Sequence, residues 1–147
     1  MTTSDSCLID TNVLVYAADQ RSPFHEAAQN LREQGLNGAI SLCICPQVLT
    51  EFFAIVTDPR RVDKPRSRQE ALFEMEKYLR SKQIAKIYPD AGTMEITLDL
   101  LMRYEIKKQK VFDLYLVATM LGANVVRLYT YNQNDFTQFT EIEVLTP

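Results

Sequence analysis

Short apolar runs along the chain alternate with longer stretches whose apolar residues recur every three to four positions. That pattern predicts buried strands separated by amphipathic helices. Cys7–Ile9 forms the first run and stops at Asp10, after which a turn leads into a helix through Val13, Leu14, Val15 and Tyr16. His25–Gln34 is expected as a helix ending at Gly35, and Ala39–Leu42 as a short strand. From Pro46, a favoured first helical residue, a helix to Thr57 places Val48, Leu49, Phe52, Phe53 and Val56 on one face, with Glu51 at its border. Residues 58–68 are a basic, proline-containing loop, and Ser67–Lys82 is a helix aligning Leu72, Met75 and Leu79. Ile84–Tyr88 reads as a strand, and Pro89-Asp90 caps a helix reaching Tyr104. Asp113 opens the next helix, which ends before Gly122, and Val125–Tyr129 and Ile142–Leu145 are the last strands. Strands alternating with helices predict an α/β fold: a three-layer α/β/α arrangement with a central, mostly parallel sheet. Function in such sheets gathers at the carboxyl ends of the strands.

Composition narrows the class. At 147 residues, 46% hydrophobic and 24% charged, the chain suits one globular domain over residues 1–147, with no repeat or linker. No apolar run reaches bilayer length, and the N-terminal stretch lacks the basic region of a signal peptide. Cys7, Cys43 and Cys45 match no zinc spacing and read as reduced, small hydrophobes of a cytoplasmic protein. A net charge of -3 excludes coating of nucleic acid by bulk charge but leaves room for a local basic patch. Only four glycines occur, in neither of the glycine-rich phosphate-binding patterns. The single histidine, His25, argues against a histidine-based ribonuclease, and Ser41 and Thr50 lack the partners of a catalytic triad.

The candidate chemistry lies in carboxylates at costly places. Asp10 ends a buried strand, Glu51 borders an apolar helix face, Asp113 points coreward at a helix start, and Asp135 follows a strand in the turn Thr130–Asp135. Each has a bland alternative: a helix cap for Asp10 and Asp113, a solvated border for Glu51, an Asx turn for Asp135. Buried carboxylates need partners or a cation, and several converging without arginines are best satisfied by Mg²⁺ or Mn²⁺. A divalent ion so held can activate water and neutralise charge on a phosphate under attack.

The ordered motifs LIDTNVLVYA (8–17), VLTEFF (48–53), VFDLYLVATMLGA (111–123) and TYNQNDF (130–136) together resemble the PIN-domain superfamily, and within it the VapC-type toxin ribonucleases. The resemblance implies Mg²⁺- or Mn²⁺-dependent endoribonucleolytic hydrolysis of single-stranded RNA. It implies Asp10, Glu51 and Asp113 as metal-coordinating catalytic acids, with Asn12 and Ala118 at the family's supporting positions. The fourth acid falls on Asp135, or on Asn132 two residues after Thr130; Asp135 is favoured. It also implies a homodimer and a small antitoxin partner.

Lys107, Lys108 and Lys110 run directly into Asp113 and are candidate RNA-phosphate contacts, as is the loop carrying Arg60, Arg61, Lys64, Arg66 and Arg68; a solvated surface explains either patch equally well. Phe24, Phe52, Phe53, Tyr78 and Tyr104 sit among apolar positions and are expected in the core or a dimer interface rather than as base-stacking platforms. Two further readings stand beside the toxin: a PIN-family nuclease of RNA maturation, and an RNA- or protein-binding module with a degenerate metal site.

Overall fold

The computed structural model describes residues 5–147. Residues 1–4, included in the expected domain, lie outside the described residues. Five strands form one sheet in the order β3-β2-β1-β4-β5, parallel at every pairing. These are β1 (Cys7–Ile9), β2 (Leu42–Ile44), β3 (Ala85–Lys86), β4 (Arg127–Tyr129) and β5 (Glu143–Leu145). The helices are α1 (Thr11–Ala18), α2 (His25–Leu36), α3 (Pro46–Val56), α4 (Arg68–Arg80), α5 (Ala91–Arg103) and α6 (Val111–Gly122). Helix α1 packs on α2 and α3, α3 also on α4, and α5 on α6. The predicted α/β sandwich with a parallel sheet is the fold observed.

Burial explains the strand order. β1 and β2 are buried at all three residues, with Leu8, Ile9, Leu42, Cys43 and Ile44 wholly inaccessible, as central parallel strands covered on both faces require. The edge is cut short: β3 is two residues long, although its flanks Ile84 and Ile87 are buried. The β4–β5 connection crosses without an α-helix and is anchored instead by Phe136 and Phe139, each 1% exposed. From β1 the chain runs outward through β2 to β3, then returns to the opposite side of β1 as β4. The crevice at the carboxyl ends of β1 and β4 is therefore the topological switch point, where open α/β sheets place their ligands.

Several elements depart from expectation; β3, β4 and β5 are each shorter than the expected 84–88, 125–129 and 142–145. The second strand is Leu42–Ile44, not Ala39–Leu42. Helix α2 runs through Gly35 to Leu36, and the backbone N–H groups of Ala39 and Ile40 both donate to the carbonyl of Gln34. With Gly38 at φ 82, residues 37–40 finish the helix instead of starting a strand. Gly35 also allows the close approach: a Cβ there would lie 2.3 Å from Leu42 Cδ1. Helix α4 starts at Arg68, with Ser67 as its cap in a reciprocal capping box with Glu70, and it buries Ala71 and Tyr78 while leaving Leu72 and Leu79 exposed. Finally, α6 starts at Val111, so Asp113 is its third residue and not its opening one. A 3-10 turn, Lys108–Lys110, with Lys108 at φ 58, feeds directly into the helix and leaves it without a side-chain cap.

Candidate active site

Asp10 sits where β1 becomes α1, and its backbone N–H still donates to Tyr129 of the neighbouring β4. It is 8% exposed. Its Oδ1 accepts from the N–H of Thr11 at 2.8 Å, so it does cap α1. Its Oδ2 accepts from the Thr130 hydroxyl at 2.8 Å and the Asn12 amide at 3.2 Å. Asn12 completes the join between strand ends: its Oδ1 accepts from the N–H of Tyr131 at 3.0 Å. A carboxylate offers about four acceptor sites, and three bonds leave one of them, on Oδ1, uncommitted. Burial pushes the Asp10 carboxyl above its ordinary range, opposed by the bonds from Thr130 and Thr11.

Glu51 is presented from α3. Its Oε2 accepts from the Thr11 hydroxyl at 3.0 Å and its Oε1 from the Gln47 amide at 3.3 Å. The same Gln47 amide reaches the carbonyl of Phe112 at 3.1 Å, tying α3 to the first turn of α6. Thr11 and Gln47 had no place among the predicted residues. Gln47 stands one turn before Glu51, on the same helical face, and that spacing is the signal for it.

Asp113, half-buried in the first turn of α6, has its carboxyl pushed up to about 6. Burial is the largest cause, followed by the like charges of Asp135, Asp10 and Glu51. Asp10, Asn12, Glu51, Asp113 and Asn132 line one cavity of about 450 Å³, with Tyr16 and the exposed Arg61 in its wall. Asp135 closes a 3-10 turn, Gln133–Asp135, and lines the adjoining cavity. It is close enough to be the foremost charge acting on Asp113, and Lys110 Nζ lies 4.0 Å from it. So Asn132 forms part of the wall shared with the three acids, and Asp135 stands just beside it.

The exposed Lys107, Lys108 and Lys110 edge a broad cavity of about 870 Å³ next to this cluster. Lys107 pairs with Glu105 at 3.3 Å. His25 lies away from the acids, donating from Nδ1 to the carbonyl of Tyr16 at 2.9 Å. The thiol of Cys45, beside Asp10 and Glu51, is pushed up to about 11 by burial and offers no thiolate at neutral pH.

The donor set suits a hard divalent cation. It is made of carboxylate and amide oxygens, burial and then the neighbouring acids raise the Asp113 carboxyl, and the nearby cations stand at its rim. Among the described residues no three His, Cys, Asp or Glu side chains are grouped tightly enough to be a ready-made metal site. Asp10, Glu51 and Asp113 share one cavity wall without closing on a common point.

A three-layer α/β/α protein with an acid-lined crevice at its switch point is the class these features define. The family model of the PIN domain matches residues 7–142, and the chain belongs to that family. It is 29% identical over 139 residues to Ribonuclease VapC24 of Mycobacterium tuberculosis, covering 95% of this chain and 94% of that one. Ribonuclease VapC48 of the same organism is 24% identical over 138 residues, covering 94% of each. The crystal structure of M. tuberculosis VapC20, a sarcin-ricin loop cleaving toxin, superposes with a TM-score of 0.67 at 15% identity, over 91% of this chain and 95% of that one. A toxin-antitoxin complex from Klebsiella pneumoniae gives 0.64 at 20% identity, over 97% and 98%.

The raised Asp113 carboxyl has a consequence for stability. The folded state holds this proton more tightly than the unfolded chain does. Its stabilising contribution is therefore complete below the ordinary carboxylate range and is lost as pH rises through about 6. In EDTA at pH 7.5, Asp113→Asn is expected to be about 1 kcal/mol more stable after allowing for solvent screening, or about 2–4 °C in Tm. The gain should vanish at pH 4. An unchanged or lowered Tm at pH 7.5 would contradict the mutual repulsion described above.

Proposed function

We propose that this chain is a metal-dependent endoribonuclease of the VapC toxin type, hydrolysing single-stranded RNA. The observation that carries the reading is the meeting of Asp10, Glu51 and Asp113, from three separate elements, in one cavity at the switch point. The names of the similar proteins, ribonucleases and toxins, point the same way.

In this reading Asp10, Glu51 and Asp113 hold Mg²⁺ or Mn²⁺, with Asp135 as the fourth acid. The ion supplies charge neutralisation at the scissile phosphate and a more acidic bound water. Asp10 contributes through the uncommitted position of Oδ1, while Thr130, Asn12 and Thr11 fix its plane. Thr11 and Gln47 orient Glu51 in the same way. Asp135 orients the attacking water or supports a second ion. Hydrolysis there would form a bond from water oxygen to phosphorus and break the bond to a ribose oxygen, which would leave as a hydroxyl with the water's proton, with no covalent enzyme intermediate. Lys107, Lys108 and Lys110 bind flanking phosphates.

Residues 1–147 act as one domain in the cytoplasm, where the RNA is. No helix among the described residues is long and apolar enough to cross a membrane, and all three cysteines are unbonded. The active form is a homodimer held in check by a small antitoxin. The similar toxin-antitoxin complex supports that partner. The dimer is supported by an apolar row on α5, where Met94, Leu98 and Met102 are 53%, 56% and 85% exposed.

Purified protein should cut single-stranded RNA with Mg²⁺ or Mn²⁺ and not with EDTA. Asp10→Asn and Asp113→Asn should each lose at least about 10²-fold in rate while remaining folded. Reversing Lys107, Lys108 and Lys110 to Glu should weaken RNA binding and flatten its dependence on log salt by about 2. Full activity in both acid variants would remove the metal-site reading, and an unchanged salt slope would remove the lysine contacts. Binding without cleavage under any metal would favour a binding module with a degenerate site, the reading to which Asn132 in the cavity wall lends weight.

Sedimentation at tens of micromolar should show a dimer that Leu98→Asp with Met102→Lys converts to monomer. A wild-type monomer would refute the homodimer. Co-expression with a small protein encoded beside this chain should abolish cleavage; undiminished cutting in a stable complex would refute the antitoxin role.

A further inference from the structure

Phe24, expected in the core or a dimer interface, is not part of the core of the folded chain. It is 43% exposed, at the mouth of the cavity adjoining the acids. The ring is nonetheless firmly braced. Tyr131 supports it at a centroid distance of 4.5 Å and a tilt of 31°, and Tyr16 at 5.3 Å and 39°. Tyr16 and Tyr131 meet edge to face at 5.3 Å, closing a three-ring cluster. The backbone beneath is fixed too: the N–H of Phe24 donates to Ser22 Oγ at 3.1 Å, and His25 pins the helix start to Tyr16.

The cavity beside this ring is about 580 Å³, large enough for a nucleoside; its other walls are Tyr131, the amides Asn132, Gln133 and Asn134, Asp135, and Thr146, whose hydroxyl accepts from the Gln133 amide. Asn132 also lines the acid cavity, so the two spaces share a wall, and Tyr16 reaches into the acid cavity from the platform side. Amide donors and acceptors match the edges of nucleobases, and a partly exposed aromatic ring offers them a surface for stacking.

We infer that Phe24 is a base-stacking platform: an unpaired nucleobase next to the scissile phosphate lies on its ring, with its edge toward the amides of residues 132–134. The subsite rests on the ribonuclease reading for its substrate. It gives the site its demand for single-stranded RNA, because a base inside a duplex cannot present its face to Phe24. It also makes Phe24 a specificity residue, not part of the acid machinery.

The test uses a labelled single-stranded hexaribonucleotide in EDTA, bound by wild type, Phe24→Leu and Phe24→Trp, with each base in turn replaced by an abasic unit. Leucine retains apolar contact with Tyr16 and Tyr131 but has no π-face; tryptophan retains the face. Phe24→Leu should weaken the intact strand about tenfold and Phe24→Trp should not. One abasic position should weaken wild type equally and cancel the Phe24→Leu effect. Equal affinities for wild type and Phe24→Leu, or no binding by wild type, would overturn the platform. Cleavage of the same strand with Mg²⁺ tests the other claim separately: base-dependent binding without any cutting would refute the nuclease and leave the platform standing.

Discussion

The carboxylate of Asp10 holds the functional end of the sheet together. A buried carboxylate without partners costs several kcal/mol. Here the Thr130 hydroxyl, the Asn12 amide and the Thr11 N–H satisfy it from three directions. Those donors belong to the chain leaving β1 and the chain leaving β4, so the bonds that stabilise the charge also clamp the two strand ends on either side of the crevice. Thr130 is wholly buried and also accepts from the N–H of Asn132, which sets the loop carrying Asn132 and Asp135. Around this clamp, Thr11 reaches across to Glu51, and Gln47 joins α3 to the first turn of α6, where Asp113 stands.

The same arrangement leaves the site electrostatically unbalanced. Asp10, Glu51, Asp113 and Asp135 converge, while the cations nearest to them, Arg61 and Lys110, are exposed at the rim. The buried Arg32, by contrast, is paired: it is 8% exposed and meets Glu33 at 3.0 Å and Glu74 at 3.7 Å. Lys110 offsets the repulsion among the acids only in part, and the cation proposed above would relieve what is left.

Much of this was legible in the sequence. Buried runs located β1 and its terminal Asp10, and helical phase put Glu51 at the border of α3. The carboxyl-end rule placed Asp10 and Asp135 at one end of the sheet, and the resemblance to the PIN family joined Glu51 and Asp113 to them. What periodicity could not reveal were choices made by neighbours. Residues 37–40 complete α2 because the carbonyl of Gln34 captures the N–H groups of Ala39 and Ile40, a bond invisible to apolar pattern. Helix α6 begins two residues before Asp113 because Lys108 takes up a left-handed conformation that nothing in its residue type announces. Leu72 and Leu79 share a helical row, yet they stay 41% and 47% exposed and Tyr78 is buried instead. Phe24 reads as an apolar residue before a helix; only the folded chain sets it over Tyr131, more than a hundred positions away.

The central claim is that the ring of Asp10, Glu51 and Asp113 is completed by a divalent cation. Calorimetric titration of metal-free protein with Mn²⁺ tests it most directly, without dependence on any RNA. The account requires saturable binding by wild type and at least about tenfold weaker binding by Asp113→Asn under identical conditions. Equal binding by the two proteins, or none by wild type, would contradict it.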